Sequence, residues 1–116
     1  MGRKIELYLK GEVFEAELAD NFLSRARGMS FRTEGKMLFR FPRESKPYID
    51  MMFLSVPLQL VFLDAGKEVV EVQRAEPWSF DPRTWKLYRP SQPARYLLES
   101  TELLDVEVGE SLEFEI

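Results

Sequence analysis

The sequence predicts one small β-dominated domain, an all-β or β-rich α+β fold of antiparallel barrel- or sandwich-like form with one short helix. Three observations predict it. Short alternating runs recur along the chain, as where Ile5, Leu7 and Leu9 are set against Glu6, Tyr8 and Lys10. Turn residues punctuate the runs at Lys10-Gly11, Asp64-Ala65-Gly66-Lys67 and Gly109-Glu110. One run, Leu58 to Leu63, is apolar on both faces, which favours a closed or double-layered sheet.

The elements follow in order. Phe14, Ala16 and Leu18 alternate with Glu15 and Glu17, so the first two runs form an antiparallel hairpin around Lys10-Gly11. Asp20 or Asn21 can cap a short helix through Arg27, with Gly28 placed to end it. Met37 to Phe41 reads as a short strand stopped by Pro42. Leu58 to Leu63 turns at Asp64 and returns through Glu68 to Val72. Residues 76 to 93 break the rhythm with Pro77, Pro82, Pro90 and Pro93. A strand from Arg95 to Glu99 follows, then a helical turn over Thr101 to Asp105. Gly109-Glu110 leads into a last strand with Leu112, Phe114 and Ile116 on one face.

Composition bounds the chemistry. The 116 residues suit a single domain, 1-116, with no linker or internal repeat. The chain contains no cysteine, which rules out disulfides, thiolate nucleophiles and zinc-thiolate sites. It contains no histidine, which removes the commonest general base and metal ligand. The apolar stretch Met51 to Leu63 holds Pro57 and Gln59 and is too short to span a bilayer. Met1-Gly2-Arg3-Lys4 leads straight into an alternating run and does not read as a signal peptide. The expected setting is the cytoplasm, as a monomer or weak homo-oligomer, with no cofactor, no metal and no membrane contact.

Several strings share one family's motifs. Arg25-Ala26-Arg27-Gly28-Met29-Ser30-Phe31-Arg32 is similar to an R-x-x-G-L-M-x-R opening, and Met37-Leu38-Phe39-Arg40-Phe41-Pro42 to a G-M-L-F-x-F-P segment. Pro57 to Asp64 is similar to a P-L-D-I-x-F-I-D strand, Tyr96-Leu97-Leu98-Glu99 to Y-V-L-E, and Gly109-Glu110 to a late Gly-Asp. In this order the set resembles domain of unknown function 192. That resemblance implies a compact β fold and supplies no activity. The family's W-M-K-N-T run is replaced here by Asp50-Met51-Met52-Phe53-Leu54, and the aspartate of P-L-D by Gln59. A polar cluster of the family is therefore missing at Met52, Phe53, Leu54 and Gln59.

Three features could carry function. Arg25, Arg27, Arg32, Lys36, Arg40, Arg43 and Lys46 crowd one segment, interleaved with Phe31, Phe39 and Phe41. Such a mixture suits phosphate backbones and stacked bases. The plainer reading turns the phenylalanines to the core and the cations to solvent or to the acidic C-terminal stretch, and a net charge of −4 argues against a dedicated nucleic-acid binder. Trp78, Phe80, Trp85 and Tyr88 could line a groove for a sugar, peptide or planar ligand, or plug one end of the fold. Carboxylates among Asp50, Asp64 and Glu99 could serve as acid and base, although Asp64 suits its own turn.

The expected function is a small non-catalytic module that binds a small molecule or a protein. Arg25, Arg27, Arg32, Trp78, Trp85 and Tyr88 are its candidate surface residues. The alternatives are an enzyme using Asp64 and Glu99, and weak nucleic-acid binding through the Arg25–Lys46 segment.

Overall fold

A computed structural model describes residues 3–21 and 28–116. The helix expected up to Arg27 falls on residues 22–27, outside the described residues. Six strands form the framework: β1 (Arg3–Leu9), β2 (Glu12–Ala19), β3 (Lys36–Ser45), β4 (Leu58–Leu63), β5 (Val69–Ala75) and β6 (Ala94–Ser100). They make one sheet in the order β1-β2-β3-β6-β4-β5. A β-dominated fold is thus confirmed.

The strand junctions follow local chemistry. Leu9 pairs with Glu12, leaving Lys10 and Gly11 as a two-residue loop with φ of 51° and 81°. Two consecutive left-handed residues match the twist of a hairpin, and glycine tolerates that backbone. At the β4–β5 turn, Asp64 Oδ1 accepts from Gly66 N at 2.9 Å and from Glu68 N at 3.0 Å. Its role in the turn is therefore satisfied by backbone donors.

The sheet departs from the sequence expectation in three ways. It is mixed, because β2 and β3 run parallel from Glu17↔Met37 to Ala19↔Phe39. β3 continues through Pro42 to Ser45; the ladder slips between Arg40 and Ser45, where a missing proline N–H does least harm. The sheet is also not closed as a barrel, and the C-terminal stretch forms bridges instead of a full strand. That stretch nonetheless touches both outer strands. Val69 N donates to Glu110 O at 2.8 Å, while Tyr8 and Glu113 exchange bonds of 2.9 and 3.0 Å. Thr101 to Asp105 contains no helical turn.

Alternation sorts the sheet into two cores. One face gathers Leu7, Leu18, Leu38, Val61, Leu63, Tyr96 and Leu98, capped by Leu112 and Phe114 from the C-terminal stretch. The opposite face gathers Met37, Phe39, Leu58, Leu60, Phe62 and Leu97. Met29, Met51, Leu54 and Tyr88 come from the connections to cover it. All six residues of β4 are buried, as its two-sided apolar pattern requires. Gln59, the polar exception on that strand, accepts from Leu104 N at 2.9 Å and donates to Leu104 O at 3.1 Å.

Phe62 is fully buried in the second core. Phe62→Ala should therefore cost about 3–5 kcal/mol, the usual range for a large buried aromatic. Urea unfolding with both proteins checks this. A loss below about 1 kcal/mol would contradict the two-sided burial of β4.

Candidate functional site: an aromatic cleft above a buried carboxyl

The 76–93 segment is ordered by its own hydrogen bonds. Asp81 caps a single 3-10 turn, Pro82–Thr84, by accepting from Arg83 N at 3.0 Å. Thr84 Oγ1 donates to Asp81 O at 2.8 Å and accepts from Ser79 N at 2.8 Å. The two indoles complete the loop. Trp78 Nε1 donates to Lys86 O at 2.9 Å, and Trp85 Nε1 donates to Ser79 O at 2.9 Å. The rings stack with centroids 6.2 Å apart. Trp78 packs on the second core, whereas Trp85 leaves 55% of its surface exposed.

A second loop faces this one. Asp50 Oδ1 accepts from Met52 N at 3.0 Å, which holds a tight turn, and Leu54 N reaches Met51 O at 3.3 Å. Met51 and Leu54 point into the core while Met52 and Phe53 stand at the surface. Phe53 has φ of 65°, a left-handed backbone uncommon for a bulky residue. Phe31 also has φ of 65°, donates from its N–H to Phe53 O at 2.9 Å, and stacks on the Phe53 ring at 5.0 Å. Two phenylalanines held in left-handed geometry at adjoining loop tips mark a place where the fold tolerates strain.

Together the loops enclose an open cleft of about 460 Å³ lined by Met52, Phe53, Trp78, Ser79, Phe80 and Trp85. Phe80 stands fully in solvent beside it. A cavity of this size lies within the range of small-molecule sites. The walls are nearly devoid of free polar groups, since both indole N–H donors are spent inside the loop and Ser79 Oγ accepts from Asp81 N at 3.1 Å. In the same loop, Arg83 pairs with Asp81 at 2.7 Å and holds that carboxyl below the usual carboxylate range.

The candidate residues are distributed as follows. Arg25 and Arg27 lie outside the described residues. Arg32 sits beside Phe31 and is paired with Glu17. Tyr88 is not a surface residue: it is buried, its hydroxyl accepts from Glu76 N at 3.0 Å, and its backbone bridges Ile49. Of the basic segment, Lys36 pairs with Glu102 and Arg40 with Asp20, while Phe39 is buried and Phe41 half-buried. The cations follow the solvent-and-ion-pair reading of that segment, whereas Phe31, 80% exposed, does not turn to the core as that reading expected. Met52 and Phe53 line the cleft without having been candidates for it, and Phe31 stacks on Phe53. Leu54 is a core residue, and Gln59 ties down Leu104 on the opposite face.

The carboxylates do not assemble as expected. Asp64 is engaged by its turn, beyond the end of β4, whereas Glu99 stands opposite Leu60. Glu99 is 5% exposed and flanked on the sheet by Met37 and Leu60. Burial pushes this group up to about 8, and the negative charge of Asp50 pushes in the same direction. Of the other two candidate carboxylates, it is Asp50 and not Asp64 whose charge acts on Glu99. Among the described residues no cluster of three or more acidic side chains could hold a metal ion. None of the described helices is long and apolar enough to cross a membrane.

Comparison with known proteins places the chain. Residues 5–114 match the family model DUF192, described as Uncharacterized ACR, and the chain belongs to that family. A UPF0127 protein of Pyrococcus furiosus is 35% identical over 107 residues, covering 86% of each chain. A UPF0127 protein of Thermococcus sibiricus is 30% identical over 117 residues, covering 92% of this chain and 71% of the relative. Among solved structures, a proposed transcription regulator of Sinorhizobium meliloti superposes with a TM-score of 0.81 at 24% identity, covering 97% of this chain and 95% of that one. A protein of unknown function from Novosphingobium aromaticivorans gives 0.77 at 22% identity, covering 95% and 83%. These likenesses establish the shared fold.

The buried carboxyl predicts a pH dependence of stability. The ordinary value for the glutamate is 4.5, so below that pH folded and unfolded chains both hold the proton. Between about pH 4.5 and 8 the unfolded chain releases it and the folded chain keeps it. Stability contributed by this group therefore falls as pH rises through that window and levels off above it. Glu99→Gln should remove this slope and be more stable than the parent near pH 8, by on the order of a few kcal/mol. Urea midpoints of both proteins at several pH values test it. Parallel pH profiles would show that Glu99 does not titrate in this window.

Proposed function

We propose that this member of the family is a non-catalytic binding module whose aromatic cleft takes up an apolar group of a small molecule or partner protein. One observation carries the reading. The cleft combines exposed aromatic walls with polar groups already bonded to their own loop. Contiguous exposed apolar surface on a globular domain commonly marks an interaction site. Each Å² of such surface removed from water is worth about 25 cal/mol. The pre-ordered loop also loses little conformational entropy on binding.

The same observation disfavours a sugar. Carbohydrate sites stack rings on aromatics but also need donors and acceptors for hydroxyls, since a buried unpaired hydroxyl costs about 1–3 kcal/mol. Here both indole donors are already committed. Nucleic acid is disfavoured because three of the segment's five described cations, Arg32, Lys36 and Arg40, each face a carboxylate, which leaves Arg43 and Lys46 outside those pairs. An enzyme using Asp64 with Glu99 is disfavoured because each has a different neighbour.

Titration with the neutral dye Nile red, set beside cellobiose, tests the reading. The dye should bind and the disaccharide should not. Trp85→Ala should abolish dye binding while changing stability by less than about 1 kcal/mol, because that ring is half in solvent. Trp78→Ala should cost about 3 kcal/mol or more, because its ring packs on the second core. Dye binding that survives Trp85→Ala, or cellobiose binding at the tryptophans, would refute the apolar cleft.

A further inference from the structure

We propose that the outer edge of β1 pairs with the same edge of a second copy of this chain, antiparallel, with Lys4 of each copy opposite Glu6 of the other. The groove along this edge shares no residue with the aromatic cleft, and the proposal does not rest on the cleft's reading.

Strand geometry fixes which backbone groups of β1 face outward. Tyr8 N donates to Glu113 O at 2.9 Å, and Glu113 N donates to Tyr8 O at 3.0 Å. Tyr8 therefore turns both its backbone groups away from β2. In an antiparallel ladder that orientation recurs at every second residue. Lys4 and Glu6 present their N–H and C=O the same way. Among the described residues no backbone group pairs with them there. Such an edge is a template for another strand.

The chain's own C-terminal stretch leaves this edge open. Continued past Tyr8↔Glu113, the register would set Glu115 opposite Glu6, two carboxylates directly across the ladder. No bridge forms there, and Glu115 and Ile116 stay exposed. What lies between is an open groove of about 460 Å³, lined by β1 from Arg3 to Tyr8 and by Glu113, Phe114 and Glu115.

Charge selects the occupant. Lys4, Glu6 and Tyr8 share the exposed face of β1, while Ile5, Leu7 and Leu9 face the first core. On the β2 side Glu6 already stands opposite Glu15. Among the described residues neither Lys4 nor Glu6 is in an ion pair. A strand entering the groove is favoured if it brings a cation opposite Glu6 and an anion opposite Lys4. β1 of a second copy, run antiparallel about a two-fold axis at Ile5, does both at once. Lys4 meets Glu6, Glu6 meets Lys4, and both pairs are of the doubly hydrogen-bonded kind. The neighbouring registers set Glu6 on Glu6 or Lys4 on Lys4, where like charges oppose. One alignment is therefore preferred, and a two-fold contact of this kind closes at two copies.

Sedimentation velocity of the full chain, from micromolar to millimolar concentration, tests the pairing. The parent chain should show a reversible monomer–dimer equilibrium. Lys4→Glu and Glu6→Lys each put like charges at both pairs, and each should weaken dimerisation by about tenfold or more. An equimolar mixture of the two variants should associate at least as well as the parent, because each supplies the charges the other needs. The double variant Lys4→Glu with Glu6→Lys should also dimerise. Both positions are exposed, so the fold should survive, and circular dichroism checks it. If one single variant does not fold, the other and the double variant decide. A parent chain that stays monomeric throughout overturns the proposal. So does a dimer that neither reversal weakens, or a charge-swapped double variant no better than the single ones. A dimer lost in Trp85→Ala but kept in both reversals is built on the aromatic cleft, and that too overturns the pairing through β1.

Discussion

Two-sided burial of the central strands is the constraint from which the rest of the structure follows. β4 has no exposed residue and β6 only the half-buried Arg95. A six-stranded sheet with apolar side chains on both faces needs a cover on each. This chain has no long helix among its described residues to provide one. The first face is covered by Leu112 and Phe114, whose stretch reaches from β5 across to β1. The second face is covered by connections alone. Those connections must send Met29, Met51, Leu54, Trp78 and Tyr88 inward. Inward anchors at the loop bases leave neighbouring side chains at the tips with no place but the surface. Met52 beside Met51, and Phe80 beyond Trp78, are the result, and the cleft is the space between two such tips.

The same constraint makes buried polar groups informative. Gln59 and Glu99 belong to neighbouring rows of the sheet, paired as Gln59↔Ser100 and Leu60↔Glu99, and they face opposite cores. Gln59 meets a backbone N–H and a backbone carbonyl of Leu104, so its amide is fully answered and anchors a loop. Glu99 stands between Met37 and Leu60, where burial and the charge of Asp50 favour its protonated form. Natural folds pair their buried polar groups, and among the described residues no buried side-chain nitrogen or oxygen is without a partner.

How much of this was legible in the sequence depends on the range of the interaction. The β1–β2 hairpin was readable because alternation and Lys10-Gly11 are local signals. The two-sided β4 was readable because six successive apolar or satisfied positions have few other uses. The parallel β2–β3 pairing was not, since it depends on the path between them and not on either strand's pattern. β3 running past Pro42 was not, because the slip that accommodates the proline is a property of its partner β6. The aromatic loop was visible as a loop, and Trp78 and Trp85 were natural candidates. Its opposite wall was not. Phe31 and Phe53 meet through left-handed backbones that no periodicity announces. Tyr88 was misassigned for the converse reason: an aromatic in a proline-rich loop can as well be the anchor as the surface. Asp50, Asp64 and Glu99 stood out as carboxyls, but that the charge of Asp50 acts on Glu99 depends on the fold and not on spacing.

The departures from the family pattern acquire a physical sense from this geometry. The resemblance implies lysine and asparagine where this chain has Met52 and Phe53, and these are the residues that form one wall of the cleft. Polar side chains there would give that wall donors and acceptors. Thioether and phenyl groups give it only area. Apolar walls discriminate among ligands by shape and by rejecting groups that need hydrogen bonds, with about 1–3 kcal/mol for each misplaced methylene. Polar walls discriminate by matched partners, and far more sharply.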